Sequence, residues 1–160
     1  MRILLTGASG LLGSHLVPLL TSEHEIFSLG RTQILGTKPL PTVDLSKNWT
    51  FDLLPTKMDV IIHLAQSSRY RDFPDGADDV FQVNLTSTGK LLEYARISGV
   101  TRFIAASTGG IYRPGISPLN EESEILGPSE LGYYYATKLA SEMLASTYQP
   151  FMDIHILRIF

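Results

Sequence analysis

The sequence predicts a three-layer α/β fold, in which a parallel β-sheet lies between two layers of helices. Two observations predict it: short apolar segments alternate with longer segments of helical periodicity, and one apolar segment has the continuous β-branched run of a strand buried on both faces. Such alternation implies right-handed crossover connections between parallel strands. In sheets of this kind ligands bind at the carboxyl ends of the strands, so candidate functional residues are sought there.

Five strands and three helices are predicted. The short apolar segments place the strands at residues 2–6, 25–29, 59–64, 102–106 and 153–160, and periodicity places helices at 11–20, 78–98 and 130–147. Pro18 lies inside the first helix and removes a backbone hydrogen bond, so we expect a kink or an early end there. Gly99 stands where the second helix needs a C-terminal cap. Residues 36–56 contain three prolines and predict no long element.

Composition indicates one globular domain. Of the 160 residues, 44% are hydrophobic and 18% charged, which is enough for a continuous core. A net charge of −3 without a long Lys/Arg cluster argues against nucleic acid as a partner. Cysteine is absent and the four histidines are scattered, which excludes thiolate catalysis and predicts no metal site. No apolar run approaches the ~20 residues of a membrane span, so we expect a cytoplasmic protein without a membrane partner.

A glycine-rich turn joins the first strand to the first helix in the segment Thr6-Gly-Ala-Ser-Gly-Leu-Leu-Gly13. Gly7 suits a tight turn, Gly10 lets backbone amides approach a phosphate, and Gly13 lets helix and strand pack closely. The helix N-terminus then presents free N–H groups to an anion. The turn therefore predicts a Rossmann-type dinucleotide-binding domain over residues 1–160, with cofactor contacts from Gly7, Ser9, Gly10, Leu11, Leu12 and Gly13.

The end of the second strand bears on the choice between NAD and NADP. An acidic residue there would bind the adenosine ribose and repel a 2′-phosphate, but this chain has Gly30-Arg31. Arg31 can pair with a 2′-phosphate, so NADP is favoured over NAD. The alternative is that Arg31 is a solvated loop cation.

Tyr134 and Lys138 are four residues apart on a predicted helix, so their side chains share a face. A free tyrosine has a pKa of about 10, too high for a general base near neutrality. The adjacent Lys138 ammonium favours the phenolate, and an oxidised nicotinamide adds a second positive charge. The pair predicts a catalytic base that is most effective with cofactor bound.

Further motifs resemble those of a known superfamily and occur in the same order. They are Asp44-Leu45, Asp59-Val-Ile-Ile-His-Leu-Ala65, Val83-Asn84-Leu85, Ser107-Thr108 with Tyr112, Tyr134-Tyr-Ala-Thr-Lys138 and Leu157-Arg158. With the glycine turn, they resemble the extended branch of the short-chain dehydrogenase/reductase superfamily, which includes nucleotide-sugar epimerases and dehydratases. The resemblance runs through most of the chain.

The resemblance implies further site residues. Asp44 would meet the adenine amino group, Asn84 would help to orient the site, and Lys138 would hold the nicotinamide ribose. The implied cofactor contacts are Asp44, Leu45, Leu64, Ala65, Asn84, Tyr134 and Lys138.

Counting back from Tyr112 places Thr108 on the family's catalytic Ser/Thr, with Ser107 as the alternative. Tyr134 would exchange a proton with a substrate alcohol or carbonyl while Thr108 holds the oxygen and hydride passes to or from the nicotinamide. The catalytic residues are thus Thr108, Tyr134 and Lys138, and the substrate implied is a nucleotide sugar or a related alcohol or carbonyl.

The residues after Thr108 bear on the reaction. Family dehydratases carry an Asp-Glu pair there, whereas this chain has Gly109-Gly110, which disfavours dehydration and leaves epimerisation or simple redox. Arg113 stands where the family often has glycine. Two other interpretations remain open: a non-catalytic dinucleotide-binding or redox-sensing module, and a Rossmann domain for FAD or S-adenosylmethionine.

Extended family members continue beyond the segment that matches residues 153–160, with further strands and a small substrate-binding domain. A final strand that runs to Ile159 and Phe160 would present an unpaired edge and apolar surface. We therefore expect residues 1–160 to lack the C-terminal substrate-binding part, or a second copy in a homodimer to cover this edge.

Overall fold

The sheet has five strands that are all parallel, as the sequence predicts. The computed structural model describes all residues, 1–160. The strands are β1 (Arg2–Thr6), β2 (Glu25–Leu29), β3 (Val60–His63), β4 (Arg102–Thr108) and β5 (Asp153–Ile159), in the spatial order β2-β1-β3-β4-β5. β4 is two residues longer than predicted, so Ser107 and Thr108 end the strand instead of following it. This order brings the carboxyl ends of β1, β3 and β4 together.

Apolar side chains on the two faces of the sheet form two separate cores. Leu4 of β1 belongs to the larger core, whereas its neighbours Ile3 and Leu5 belong to the smaller one, because successive side chains of a strand point to opposite faces. Helix α1 (Leu11–Leu20) buries Val17 in the smaller core. Helices α3 (Ser87–Ile97) and α4 (Tyr133–Ser146) pack in the larger core. Helices therefore cover both faces, which confirms the three-layer Rossmann-type fold.

The first helix does not end early at Pro18. It continues through that residue to Leu20, so the expectation of an early end is wrong. Pro18 cannot donate to the carbonyl of Ser14, but both residues are exposed, so water can satisfy that carbonyl.

The second predicted helix is interrupted. Helix α2 (Ala77–Phe81) passes into a π-helical turn (Gln82–Thr86) before α3 begins. The Asn84 carbonyl accepts hydrogen bonds from two side-chain hydroxyls, those of Thr88 at 2.7 Å and Ser141 at 2.6 Å. These bonds join the π-helical turn to α3 and α4. Gly99 has a φ of +67°, and Val100 N–H donates to the Ala95 carbonyl at 2.9 Å, which is the C-terminal cap the sequence predicts.

The segment between β2 and β3 covers the edge of β2. Lys38 forms a single parallel bridge with Phe27, and Val43 N–H donates to the Gly30 carbonyl at 2.8 Å. Only a short 3₁₀ turn (Phe51–Leu53) is regular there, yet Trp49 and Leu54 are buried in the larger core. The prolines prevent a full strand, and apolar side chains anchor the segment instead.

The opposite edge of the sheet is β5. Leu157, Ile159 and Phe160 are all exposed, with Phe160 at 82%. A covering second copy or further chain at this edge stays a prediction. None of the helices combines the length and the apolar character needed to cross a membrane.

Candidate functional site

A groove of two adjoining clefts lies at the carboxyl ends of the strands. The first cleft, of about 350 Å³, is lined by Gly7, Ser9, Gly10, Arg31, Asp44, Leu45, Leu64 and Ala65 among others. The second, of about 320 Å³, is lined by residues that include Gly7, Gly10, Leu11, Leu12, Gly13, Leu64, Thr108, Tyr134 and Lys138. The two clefts share Gly7, Gly10, Leu64 and Gln66. The structure thus brings every predicted site residue except Asn84 to one groove.

The glycine turn lies at the junction of the two clefts. Gly7 has a φ of +71°, and a Cβ there would come within 2.7 Å of the Ala65 nitrogen. A Cβ on Gly13 would collide with the main chain of Ala8, at 2.8 Å from its carbonyl carbon. Gly10 differs, because its Cβ would meet only the Gly7 carbonyl oxygen, at 3.2 Å. Gly7 and Gly13 are therefore required by the fold, whereas Gly10 faces the groove.

The first turn of α1 can hold an anion. Gly10 is the N-cap and has no side chain with which to cap the helix. The first N–H groups of any helix lack intrahelical acceptors and carry positive partial charge. The backbone of Leu11, Leu12 and Gly13 lies beside the second cleft, so these groups suit a ligand phosphate. A dinucleotide pyrophosphate fits this cradle.

Replacing Gly10 by Val is expected to abolish dinucleotide binding while leaving the fold largely intact. The new side chain meets the protein only at the Gly7 carbonyl, but it occupies the approach of phosphate to the amides of α1. Calorimetry with NADP and thermal unfolding measure the two effects separately. The matched variant Gly13→Val should instead lower the unfolding temperature. An NADP affinity unchanged in Gly10→Val would contradict the placement of the phosphates.

Arg31 and Asp44 line the first cleft and do not line the second. Asp44 accepts hydrogen bonds from the Ser46 backbone N–H at 3.0 Å and the Ser46 hydroxyl at 2.8 Å. The Ser46 backbone bond, with help from the nearby Arg31 charge, holds the pKa of Asp44 below its usual value. Arg31 is exposed and has no carboxylate within salt-bridge distance. Its guanidinium is free for an anionic ligand.

Tyr134 stands in the first turn of α4, one turn before Lys138. Its hydroxyl donates to the Gln66 side-chain oxygen at 2.7 Å, and its ring lies 5.2 Å from that of Tyr70. Burial raises the pKa of Tyr134 to about 12, and Tyr135 and Tyr70 add to the effect. Without ligand the phenol is therefore protonated at neutral pH. The lowering of the Tyr134 pKa that the sequence predicts from the Lys138 charge is therefore absent without ligand.

Lys138 is nearly buried, and its ammonium donates to the carbonyl of Ala106 in β4. Burial lowers the pKa of Lys138 to about 8, although the carboxylate of Glu142 opposes this change. The side chain thus remains mostly charged at neutral pH. It lines the same cleft as Tyr134 and Thr108.

Hydrogen bonds distinguish Thr108 from Ser107. The Thr108 oxygen accepts from Gly110 N–H at 3.1 Å, so its own proton remains available to a ligand. The Ser107 hydroxyl donates to the buried Glu142 carboxylate instead. This favours Thr108 as the donor to substrate.

Asn84 lies behind the groove, outside the lining of both clefts. Its oxygen accepts from Ser67 N–H at 3.0 Å, and its amide nitrogen donates to the Thr137 hydroxyl at 3.1 Å. Thr137 in turn donates to the Tyr134 carbonyl at 2.7 Å. Asn84 therefore braces the helix that carries the tyrosine. A direct cofactor contact from Asn84 stays a prediction.

His63 connects the end of β1 to the first turn of α3. It is completely buried, and its ring nitrogens lie 2.7 Å from the Thr6 hydroxyl and 2.9 Å from that of Thr88. Thr88 gives its proton to the Asn84 carbonyl, so His63 must donate to Thr88 from Nε2 and accept from Thr6 at Nδ1. Burial, with the charge of Lys138, lowers the pKa of His63 to about 3, which keeps it neutral.

An ion pair between a buried carboxylate and a partly buried arginine lies beside the second cleft. Arg158 of β5 donates to both oxygens of Glu142, with a shortest distance of 2.7 Å, and to the Tyr112 hydroxyl at 2.6 Å. The sequence motif contains Arg158 but does not indicate its partner. The sequence does not indicate three further residues of the site, because only the folded chain brings them to these contacts. They are Gln66, Tyr70 and Glu142.

Comparison with known proteins places the chain in a family. The sequence model of the protein family described as "NAD dependent epimerase/dehydratase family" matches residues 3–160. The chain belongs to this family. The resemblance to extended short-chain dehydrogenases/reductases is thereby confirmed.

Curated members of the family are similar over nearly the whole chain. UDP-glucose 4-epimerase of Mycolicibacterium smegmatis is 32% identical over 96% of this chain and 53% of its own length. GDP-6-deoxy-D-talose 4-dehydrogenase of Aggregatibacter actinomycetemcomitans is 30% identical over 100% of this chain and 52% of its own. The chain thus spans about half the length of the curated relatives it matches.

Solved structures of this superfamily are also similar to nearly the whole chain. The UDP-Glc/GlcNAc 4-epimerase of Campylobacter jejuni has a TM-score of 0.81 at 27% identity, over 99% of this chain and 53% of its own. A short-chain dehydrogenase/reductase superfamily protein of Agrobacterium tumefaciens with bound NAD has a TM-score of 0.83 at 27% identity, over 99% of this chain and 48% of its own.

Proposed function

We propose that the chain forms the cofactor-binding part of an NAD(P)-dependent epimerase or reductase that acts on a nucleotide sugar through Thr108, Tyr134 and Lys138. The observation that carries this proposal is the continuous groove, in which a phosphate-binding turn separates the cleft of Arg31 and Asp44 from the cleft of these three side chains. Relatives named as acting on UDP- and GDP-sugars support the substrate class.

The chain's own residues would bind, orient and exchange a proton. A nicotinamide, when bound, accepts or returns a hydride. Tyr134 takes the proton of a substrate hydroxyl as the alcohol is oxidised and returns it when a carbonyl is reduced. Thr108 donates a hydrogen bond to the same oxygen and holds it in line. Lys138 and the N-terminal end of α4 favour the phenolate while it exists.

The packing of Gly109 and Gly110 supports epimerisation or redox over dehydration. A Cβ on Gly109 would collide with the ring of Phe160, and one on Gly110 would come within 2.7 Å of the Tyr135 ring. An acidic side chain at either position would require these rings to move. The reaction proposed therefore needs no second acid–base pair after Thr108.

Hydride exchange with a panel of nucleotide sugars tests this proposal. With at least one UDP- or GDP-sugar, the protein that contains this chain should either change the nicotinamide absorbance or convert the sugar into its epimer, and this activity should require Lys138. Tight dinucleotide binding without any exchange would contradict the enzyme. It would favour the redox-sensing module, with which the protonated Tyr134 of the ligand-free site also agrees.

NADP is the proposed cofactor in preference to NAD. Arg31 lines the first cleft without a carboxylate partner, and a charge-assisted bond to a 2′-phosphate is worth about 1.5–3 kcal/mol. Asp44 is already engaged by Ser46.

Replacing Arg31 by Asp is expected to lower the ratio of NADP to NAD affinity by at least about tenfold, which corresponds to 1.4 kcal/mol. The new carboxylate repels the 2′-phosphate and can accept from the ribose hydroxyls of NAD. Calorimetric titration with both cofactors measures the ratio. Lys57→Asp makes the same charge change at the exposed loop before β3 and should leave the ratio unaltered. An unchanged ratio in Arg31→Asp would show that Arg31 is a solvated cation.

A further inference from the structure

Gln66 follows β3 and lies where the two clefts meet. Among the four residues that line both clefts, it alone has a polar side chain. Its amide oxygen accepts the Tyr134 hydroxyl at 2.7 Å, and this is the only side-chain hydrogen bond that Gln66 makes. The residue is exposed and its amide NH₂ has no protein partner, so the amide is free to turn about its last bond.

A glutamine amide can serve both protonation states of a phenol. It presents an acceptor oxygen and, after a half turn, donor N–H groups at nearly the same place. The neutral phenol donates to the oxygen, and a phenolate accepts from the nitrogen. Hydrogen bonds to a charged partner are roughly twice as strong as those between neutral groups. An amide that can turn therefore stabilises the phenolate more than it stabilises the neutral phenol.

The other groups around Tyr134 do not replace this donor. Tyr70 packs its ring against that of Tyr134 at 5.2 Å, and Tyr135 lies at 5.4 Å on the same helix. Lys138 lines the same cleft, but its ammonium donates to the Ala106 carbonyl. On the side of the groove formed by the loop after β3, Gln66 is the group in hydrogen-bond contact with the phenol.

We propose that Gln66 is a positioning residue for Tyr134, which holds the hydroxyl at the junction of the clefts and turns to donate to the phenolate when the proton leaves. This inference rests on the proposed role of Tyr134 as the base. It predicts that loss of the amide donor makes Tyr134 harder to ionise.

Titration of the cofactor-free protein tests the inference. With 3-fluorotyrosine incorporated, whose phenol is more acidic, the ¹⁹F signal of Tyr134 can be followed with pH and identified by its absence in Tyr134→Phe. Gln66→Met, which keeps the length and removes the amide, should raise the midpoint by about half a unit to one unit, a three- to tenfold change in ionisation constant. Gln66→Glu accepts only and adds a negative charge, so its midpoint should rise further.

The two variants together separate loss of the donor from a change of polarity, because Met and Glu share only the absence of the amide. Gln149→Met, at an exposed position after α4, is the matched control and should titrate as the unaltered protein does. A midpoint that is unchanged or lower in Gln66→Met would overturn the inference, and so would an unchanged midpoint in Gln66→Glu.

The experiment distinguishes this inference from the proposed function. It is carried out without cofactor or substrate, so an absence of hydride exchange would refute the enzyme and leave the titration result standing. If exchange occurs, the acidic limb of its pH profile should move upward in Gln66→Met by the same amount as the ¹⁹F midpoint. A loss of rate without that movement would indicate a packing role and overturn the inference.

Discussion

Replacing Tyr134 by Phe is expected to lower the turnover of hydride exchange by about 10²–10⁴-fold, the usual contribution of a general base. Cofactor affinity should stay nearly unchanged. The phenylalanine ring keeps the contacts with Tyr70 and Tyr135, whose ring centroids lie 5.2 and 5.4 Å away, and only the hydroxyl is lost. Steady-state rates with a nucleotide sugar and calorimetry with NADP measure the two quantities.

Tyr133→Phe is the matched control for that substitution. Tyr133 stacks on Phe73 at 5.0 Å, and its hydroxyl has no hydrogen-bond partner in the protein, so its loss should leave turnover near the original rate. A Tyr134→Phe variant as active as Tyr133→Phe would assign the base to another residue. A parallel loss of NADP affinity would indicate that Tyr134 acts mainly in binding.

Replacing Arg158 by Leu is expected to lower the free energy of unfolding by about 3–5 kcal/mol, as for other buried pairs that lose one partner. The Glu142 side chain is only 8% exposed and would be left with the Ser107 hydroxyl as its remaining hydrogen-bond partner. The substitution also removes a donor from the Tyr112 hydroxyl. Urea denaturation followed by circular dichroism gives the change.

Arg113→Leu provides the comparison for this stability prediction. Arg113 pairs with Glu124 at 2.9 Å and with Glu130 at 2.6 Å, but its side chain is 40% exposed. Exposed pairs contribute about 0–1 kcal/mol, so the two leucine variants should differ clearly. Equal losses would mean that burial does not govern the energetics of the Glu142–Arg158 pair.

Local signals explain why much of the fold could be predicted. The alternation of apolar strands with periodic helices depends on neighbouring residues, and the Gly7–Gly13 turn carries its own steric requirement in the positive φ of Gly7. The pairing of Tyr134 with Lys138 in one cleft follows from their spacing on one helix. These features require no knowledge of distant contacts.

The parts of the fold and the site that could not be predicted depend on contacts between residues that are far apart in the chain. The π-helical turn carries Asn84, whose amide reaches Thr137 across 53 positions and whose carbonyl accepts from Ser141. Gln66 meets Tyr134 across 68 positions. No spacing rule indicates such partners. The early end expected at Pro18 fails for a different reason, because an exposed carbonyl can bind water and the helix loses little.

A titration of ¹⁵N-labelled protein with NADP, followed by amide NMR signals, tests whether the groove binds a nicotinamide dinucleotide along the Gly7–Gly13 turn. We expect the amides of Gly10, Leu11, Gly13 and Ala65 to shift together along one saturable curve, because they surround the junction of the two clefts. The amides of α3 should remain unmoved, because none of its residues lines either cleft. If saturating NADP or NAD leaves the NMR signals of the glycine-turn amides unshifted, or shifts only signals from residues outside the groove, then the groove does not bind the dinucleotide.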